Sequence, residues 1–114
     1  MKITQKDINN DKILVIVEED DNTRLEDIRE KESFKLLQSK VFKNNILILE
    51  ENYKDEKLNG IYKQYYDNGS IWRTGQYENG KVIGKFVEYR ENGDLWRITE
   101  VQPDGNIQEK YFDE

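Results

Sequence analysis

Catalysis near neutral pH draws on a histidine, a thiolate or two carboxylates held across a cleft. This sequence of 114 residues has no His and no Cys. The commonest general base, the commonest zinc ligand and every thiolate are therefore missing. The acidic runs Glu18-Glu19-Asp20-Asp21 and Glu50-Glu51 read as solvated turns. Neither has the alternating carboxylates around a Gly that a calcium loop needs, and no spacing sets two carboxylates across a cleft. The Gly residues are spread along the chain, so no phosphate-cradling loop forms. No enzyme activity, cofactor or metal site is expected. What remains is the chemistry of recognition: seven Tyr, four Phe and two Trp, with Tyr and Trp the types most enriched at interface hot spots.

Charge narrows the partner. Lys and Arg number 18 against 24 Asp and Glu, a net charge of -6. Such a chain is repelled by phosphate backbones and anionic lipid, so neither nucleic acid nor a membrane surface is expected, while a basic protein would be steered toward it. The start, "MKITQKDINND", has no apolar signal core, and the longest apolar run, Ile13 to Val17, is too short to span a bilayer. With the lack of Cys this reads as a cytoplasmic protein.

The elements that position the aromatics come from a repeat. Gly60 falls on Gly84 (84 - 60 = 24), and the same offset carries Tyr62 to Phe86, Tyr65 to Tyr89, Asn68-Gly69 to Asn92-Gly93 and Trp72-Arg73 to Trp96-Arg97. One step back, Asn44-Asn45 falls on Asn68-Gly69 and Leu47 on Ile71. Asn-Gly between alternating residues is the strongest short hairpin signal. The expected fold is mainly β: an antiparallel meander of hairpins with units 36–59, 60–83 and 84–108 and a C-terminal strand. Residues 1–35 form a strand and turn segment, either a degenerate repeat or a cap. Thr23-x-x-Glu26 is a helix capping box and allows one short N-terminal helix, whereas laying Asp20-Asp21 on Asn44-Asn45 favours another hairpin. Both readings stand open at this point.

With each Asn-Gly as a two-residue loop, Tyr66 faces Ile71, Tyr65 faces Trp72 and Gln64 faces Arg73. One face then carries Tyr62, Tyr66, Ile71 and Tyr77, with Phe86, Leu95 and Val101 in the next unit and Phe42, Leu47 and Tyr53 in the preceding one. These read as core. The other face carries Tyr65 against Trp72, Tyr89 against Trp96, Val87 against Ile98 and Val41 against Ile48. It is either covered by the strand Ile13 to Val17 or open as a docking strip. The candidate partner-binding residues are accordingly Tyr65, Trp72, Tyr89 and Trp96, with Glu88, Glu91 and Asp94 at the rim.

The pattern Gly60-x-Tyr62-x-x-Tyr65-Tyr66-x-Asn68-Gly69-x-Ile71, then Tyr77-x-Asn79-Gly80-Lys81-x-x-Gly84, resembles the bacterial variant of the MORN repeat and the arrays of YwqK-type antitoxins. The resemblance covers Leu36 to about Phe112. It departs at Asn45, at Asp55-Glu56 and at Glu109, where turn or opening Gly residues belong. It implies a protein-binding module, with an antitoxin or immunity-like role against a basic toxin. A different class, a carbohydrate-binding wall repeat, also combines Tyr-Tyr, Trp and Asn-Gly hairpins.

Overall fold

The computed structural model describes residues 1–112, and there the chain is one antiparallel sheet. Its strands are β1 (Lys2–Asp7), β2 (Lys12–Glu18), β3 (Thr23–Glu30), β4 (Leu36–Lys43), β5 (Ile46–Lys54), β6 (Lys57–Leu58), β7 (Gly60–Tyr65), β8 (Ile71–Glu78), β9 (Lys81–Tyr89), β10 (Leu95–Val101) and β11 (Ile107–Tyr111). They follow one another across the sheet in sequence order, with the short β6 paired to β5. Ten strands about 4.8 Å apart span roughly 43 Å. The longest dimension is 45 Å, so the sheet runs open from β1 to β11 and does not close into a barrel. The hairpin meander expected from the repeat is the observed architecture.

Among the described residues no helix forms, and none could cross a membrane as a helix. Thr23–Glu30, the candidate helix, is β3, paired along its length with β2 and β4. Two flanking strands satisfy more of its backbone than a lone short helix would. The acidic run before it is a turn, closed by a hydrogen bond from the Glu19 N–H to the Thr23 carbonyl at 2.8 Å. The strand Ile13 to Val17 lies within the sheet as part of β2 and covers neither face.

The hairpin ends are of two kinds. At Asn44-Asn45, Asp55-Glu56 and Asn79-Gly80 both central residues have positive φ, as two-residue I′ turns require. At Asn68-Gly69 only Gly69 does, with φ of 88°. Tyr66 donates its N–H to the Ser70 carbonyl and Gly69 donates to that of Tyr66, which makes Tyr66 to Gly69 a longer turn closed by a glycine bulge. The Asn68 carboxamide oxygen accepts from the Ser70 N–H at 2.9 Å. Arg90 to Gly93 and Gln102 to Gly105 repeat this arrangement. A bulge in the second strand follows the turns at 44–45, 66–69 and 90–93. Pairing steps from Tyr65 opposite Ile71 to Gln64 opposite Arg73, leaving Trp72 as the extra residue. Trp96 and Ile48 are extra at the equivalent places.

Register also defines the faces. One row crosses the whole sheet: Ile3, Val17, Leu25, Val41 and Leu49 from β1 to β5, then Gln64, Arg73, Glu88, Arg97 and Tyr111 from β7 to β11. The buried residues Ile13, Val15, Ser39, Gly75 and Glu88 all lie on this face, which is therefore the inner one. The outer face pairs opposite charges, Glu26 with Lys40, Lys40 with Glu50 and Glu50 with Lys63, a pattern suited to water. On the inner face Gly75 lies opposite Tyr62, and a Cβ there would run into the Phe86 ring. Gly75→Ala is expected to cost about 1–3 kcal/mol through overpacking, and the penalty should shrink in a Phe86→Leu background when thermal melts are compared in a double-mutant cycle. Additive losses would show that the ring does not rest on Gly75.

Candidate functional site

The two bulges split the strip read from the sequence. Tyr65 opposes Ile71 and Tyr89 opposes Leu95 on the outer face. Trp72 and Trp96, displaced by the bulges, join their neighbours Arg73 and Arg97 on the inner face. The Trp72 ring stacks on Tyr66 at 5.5 Å between centroids, and the Arg73 guanidinium lies 4.6 Å from the Trp72 ring centre. Trp96 meets Tyr111 edge-on at 6.0 Å, with Arg97 5.2 Å from its ring. The expected pairings of Tyr65 with Trp72 and Tyr89 with Trp96 are thus corrected. Each four-residue turn takes one residue from the first strand, and each bulge returns it on the second.

The rim residues divide as well. Glu91 and Asp94 are exposed beside the Arg90 to Gly93 turn. There the Glu91 carbonyl accepts hydrogen bonds from Asn68 and Ser70 of the preceding hairpin. Glu88 is no rim residue: it is 5% exposed, and its carboxylate takes the Arg97 guanidinium through Nε at 2.9 Å and through Nη2. That bond holds the Arg97 proton even more firmly than usual.

Of the residues read as core, Tyr53, Tyr62, Tyr66, Tyr77, Phe86 and Val101 do share the inner face. Phe42, Leu47, Ile71 and Leu95 lie on the outer one. Tyr62 meets Tyr77 at 5.5 Å and Phe86 at 6.0 Å, and Tyr77 meets Phe86 at 6.3 Å. These rings wall an open depression of about 380 Å³, whose other sides are Arg73, Glu88 and Arg97, the side chains of Val82, Thr99 and Val101, and Ile107 and Glu109 of β11. Burial raises the Tyr77 phenol above its ordinary value, with Tyr62 adding to the effect. Burial likewise pushes Tyr53 up to about 12, helped by the hydrogen bond it donates to Glu51 at 3.0 Å. Tyr66 rises for the same primary reason and donates its hydroxyl to the Tyr89 carbonyl at 2.6 Å.

Sequence reasoning placed no weight on Gln64, Arg73 and Arg97, which occupy the centre of the site. The Arg73 Nε donates to the Gln64 amide oxygen at 2.7 Å, and that oxygen also accepts the Tyr62 hydroxyl at 3.2 Å. The available signal was the recurrence of Trp-Arg at 72–73 and 96–97 opposite Gln64 and Glu88. No group of His, Cys, Asp and Glu among the described residues is arranged to hold a metal ion. The arrangement offers apolar rings, two guanidinium groups and two carboxylates, of which Glu88 is paired with Arg97, which is binding chemistry. Compared with family models, with curated proteins and with solved structures, the chain finds no match.

Two measurements follow. Glu88→Gln leaves Arg97 half-buried without its counter-charge, and the melt should show a loss of about 1–3 kcal/mol, below a fully buried pair because Arg97 keeps 28% of its side chain in solvent. Tyr53 holds its proton in the folded state to about pH 12, while the unfolded chain releases it near the ordinary phenol value of about 10. The stability tied to this shift is complete below pH 10 and declines as pH rises to 12. Tyr53→Phe should therefore flatten the alkaline loss of stability; an unchanged slope would assign that loss to other groups.

Proposed function

We propose that this chain is a protein-binding module whose partner seats on the inner face over β7 to β11. The observation that carries this is the depression walled by Tyr62, Tyr77 and Phe86. Its rings touch one another, yet among the described residues no second layer roofs them. Unroofed rings beside guanidinium groups have the composition of an interface centre, where Tyr, Trp and Arg give most of the binding energy. The net charge of -6 favours a partner that is basic overall. The resemblance to the YwqK-type antitoxins supports the same reading and gives it a role, the neutralising of a basic toxin. A carbohydrate is the second reading, favoured by the planar polar groups of Gln64 and Arg73 set beside tyrosine rings.

The test places an arginine on each face. Thr99 lies on the inner face opposite Phe86, and Gln76 is exposed on the outer face opposite Ile61. For a partner recovered from the native host, calorimetry should find Thr99→Arg binding at least tenfold more weakly and Gln76→Arg unchanged, both melting near the parent. The reverse pattern would move the site to the outer face. Loss of binding on a glycan array with Thr99→Arg, in the absence of any protein partner, would favour the carbohydrate.

A further inference from the structure

Arg73 and Arg97 hold the same place in successive units, and so do the residues that face them, since 97 - 73 = 24 and 88 - 64 = 24. Their partners differ in one atom pair's chemistry. Arg97 meets the Glu88 carboxylate through two nitrogens. Arg73 meets the Gln64 amide through Nε alone. The amide oxygen of Gln64 brings no charge, and it already accepts from both Arg73 Nε and the Tyr62 hydroxyl. Glu88 is also in register with Arg73 but is engaged by Arg97. The terminal nitrogens of Arg73 have no hydrogen-bond or ion-pair partner among the described residues. Trp72 flanks the guanidinium and helps to fix it. Gln64, Arg73, Glu88 and Arg97 together carry two positive charges and one negative. Glu109 of β11 lines the same depression and brings its charges into balance, so the positive character is local to the Arg73 guanidinium.

Resting on the protein-binding reading of this site, we infer that Arg73 anchors an aspartate or glutamate side chain of the partner, with an apolar neighbour of that residue lying against Tyr62, Tyr77 and Phe86. The terminal nitrogens of a guanidinium form a fork that matches a carboxylate, as a point-charge ammonium does not. The aromatic walls lower the local dielectric and strengthen the pair. A partner that is basic at its rim thus presents one acid at its centre. The carboxylate it brings is the one that the third unit carries internally as Glu88.

The experiment is a nuclear magnetic resonance titration of the full chain with the N-acetylated, C-amidated dipeptide of phenylalanine and aspartate, against the isosteric dipeptide with asparagine and against inorganic phosphate. The aspartate dipeptide should shift the Arg73 Nε–H and Phe86 ring signals and bind at least tenfold more tightly than the asparagine one. Gln64→Glu gives Arg73 an internal carboxylate, so it should abolish that preference while melting at or above the parent temperature. Arg73→Lys, which keeps the charge and loses the fork, should reduce the preference at least threefold. Equal binding of the two dipeptides, or a preference that survives Gln64→Glu, would overturn the inference. Tighter binding of phosphate than of the aspartate dipeptide would replace it with a phosphate site. A protein partner that binds Gln64→Glu as well as the parent, yet is blocked by Thr99→Arg, would sink the carboxylate anchor and leave the docking face standing.

Discussion

Among the described residues each strand packs against neighbours beside it in one sheet, with no second layer above it. Most domains bury a sheet face against a second layer, and with one layer few side chains can leave water. The buried residues are correspondingly few, and two of the five that define the inner face, Ser39 and Glu88, are polar. Cohesion then rests on the backbone ladder and on cross-strand pairs worth about 0.2–1 kcal/mol each. A buried polar group in such a layer must find its partner within the sheet. Ser39 donates to the Asp27 carboxylate on the adjoining strand at 2.6 Å, and Glu88 accepts from Arg97.

The same constraint explains the bulges. An extra residue bends a strand and increases its twist, which turns one face inward without a second layer. In the second and third units the extra residue is a tryptophan, so the device that bends the sheet also carries a large ring to the inner face beside an arginine. Neighbouring units are then tied at their tips, where Tyr66, Asn68 and Ser70 of one hairpin donate to carbonyls at Tyr89 and Glu91 of the next. In the first unit Ile48 and Leu49 stand where the others have Trp and Arg, and the central row is apolar from Ile3 to Leu49. The adjacent Trp and Arg side chains are thereby confined to β8 and β10.

Much of this was legible in the sequence. The 24-residue offset located the units, and the alternation about Tyr62, Tyr77 and Phe86 put those rings on one face. The side of Trp72 was not legible, because Asn-Gly fits both a two-residue I′ turn and the last half of a longer turn with a glycine bulge. The choice shifts register by one residue, which reverses a face. Gln64 opposite Arg73 survived only because the turn and the bulge displace the register in opposite directions. The Thr23-x-x-Glu26 signal yielded to strand pairing because tertiary neighbours override a local cap. Glu88 resembled a rim charge until the partner strand placed Arg97 across from it. The weight of Gln64 could have been read from its alignment with Glu88, as a missing charge.

The account depends most on which side of the sheet the two tryptophans occupy. Nuclear Overhauser contacts from the Trp72 and Trp96 indole protons of the protein in solution report this directly. The bulged register predicts contacts from Trp72 to the ring of Tyr66 and from Trp96 to that of Tyr111. Contacts from Trp72 to the Tyr65 ring and from Trp96 to the Tyr89 ring would restore simple alternation and contradict the inner-face site.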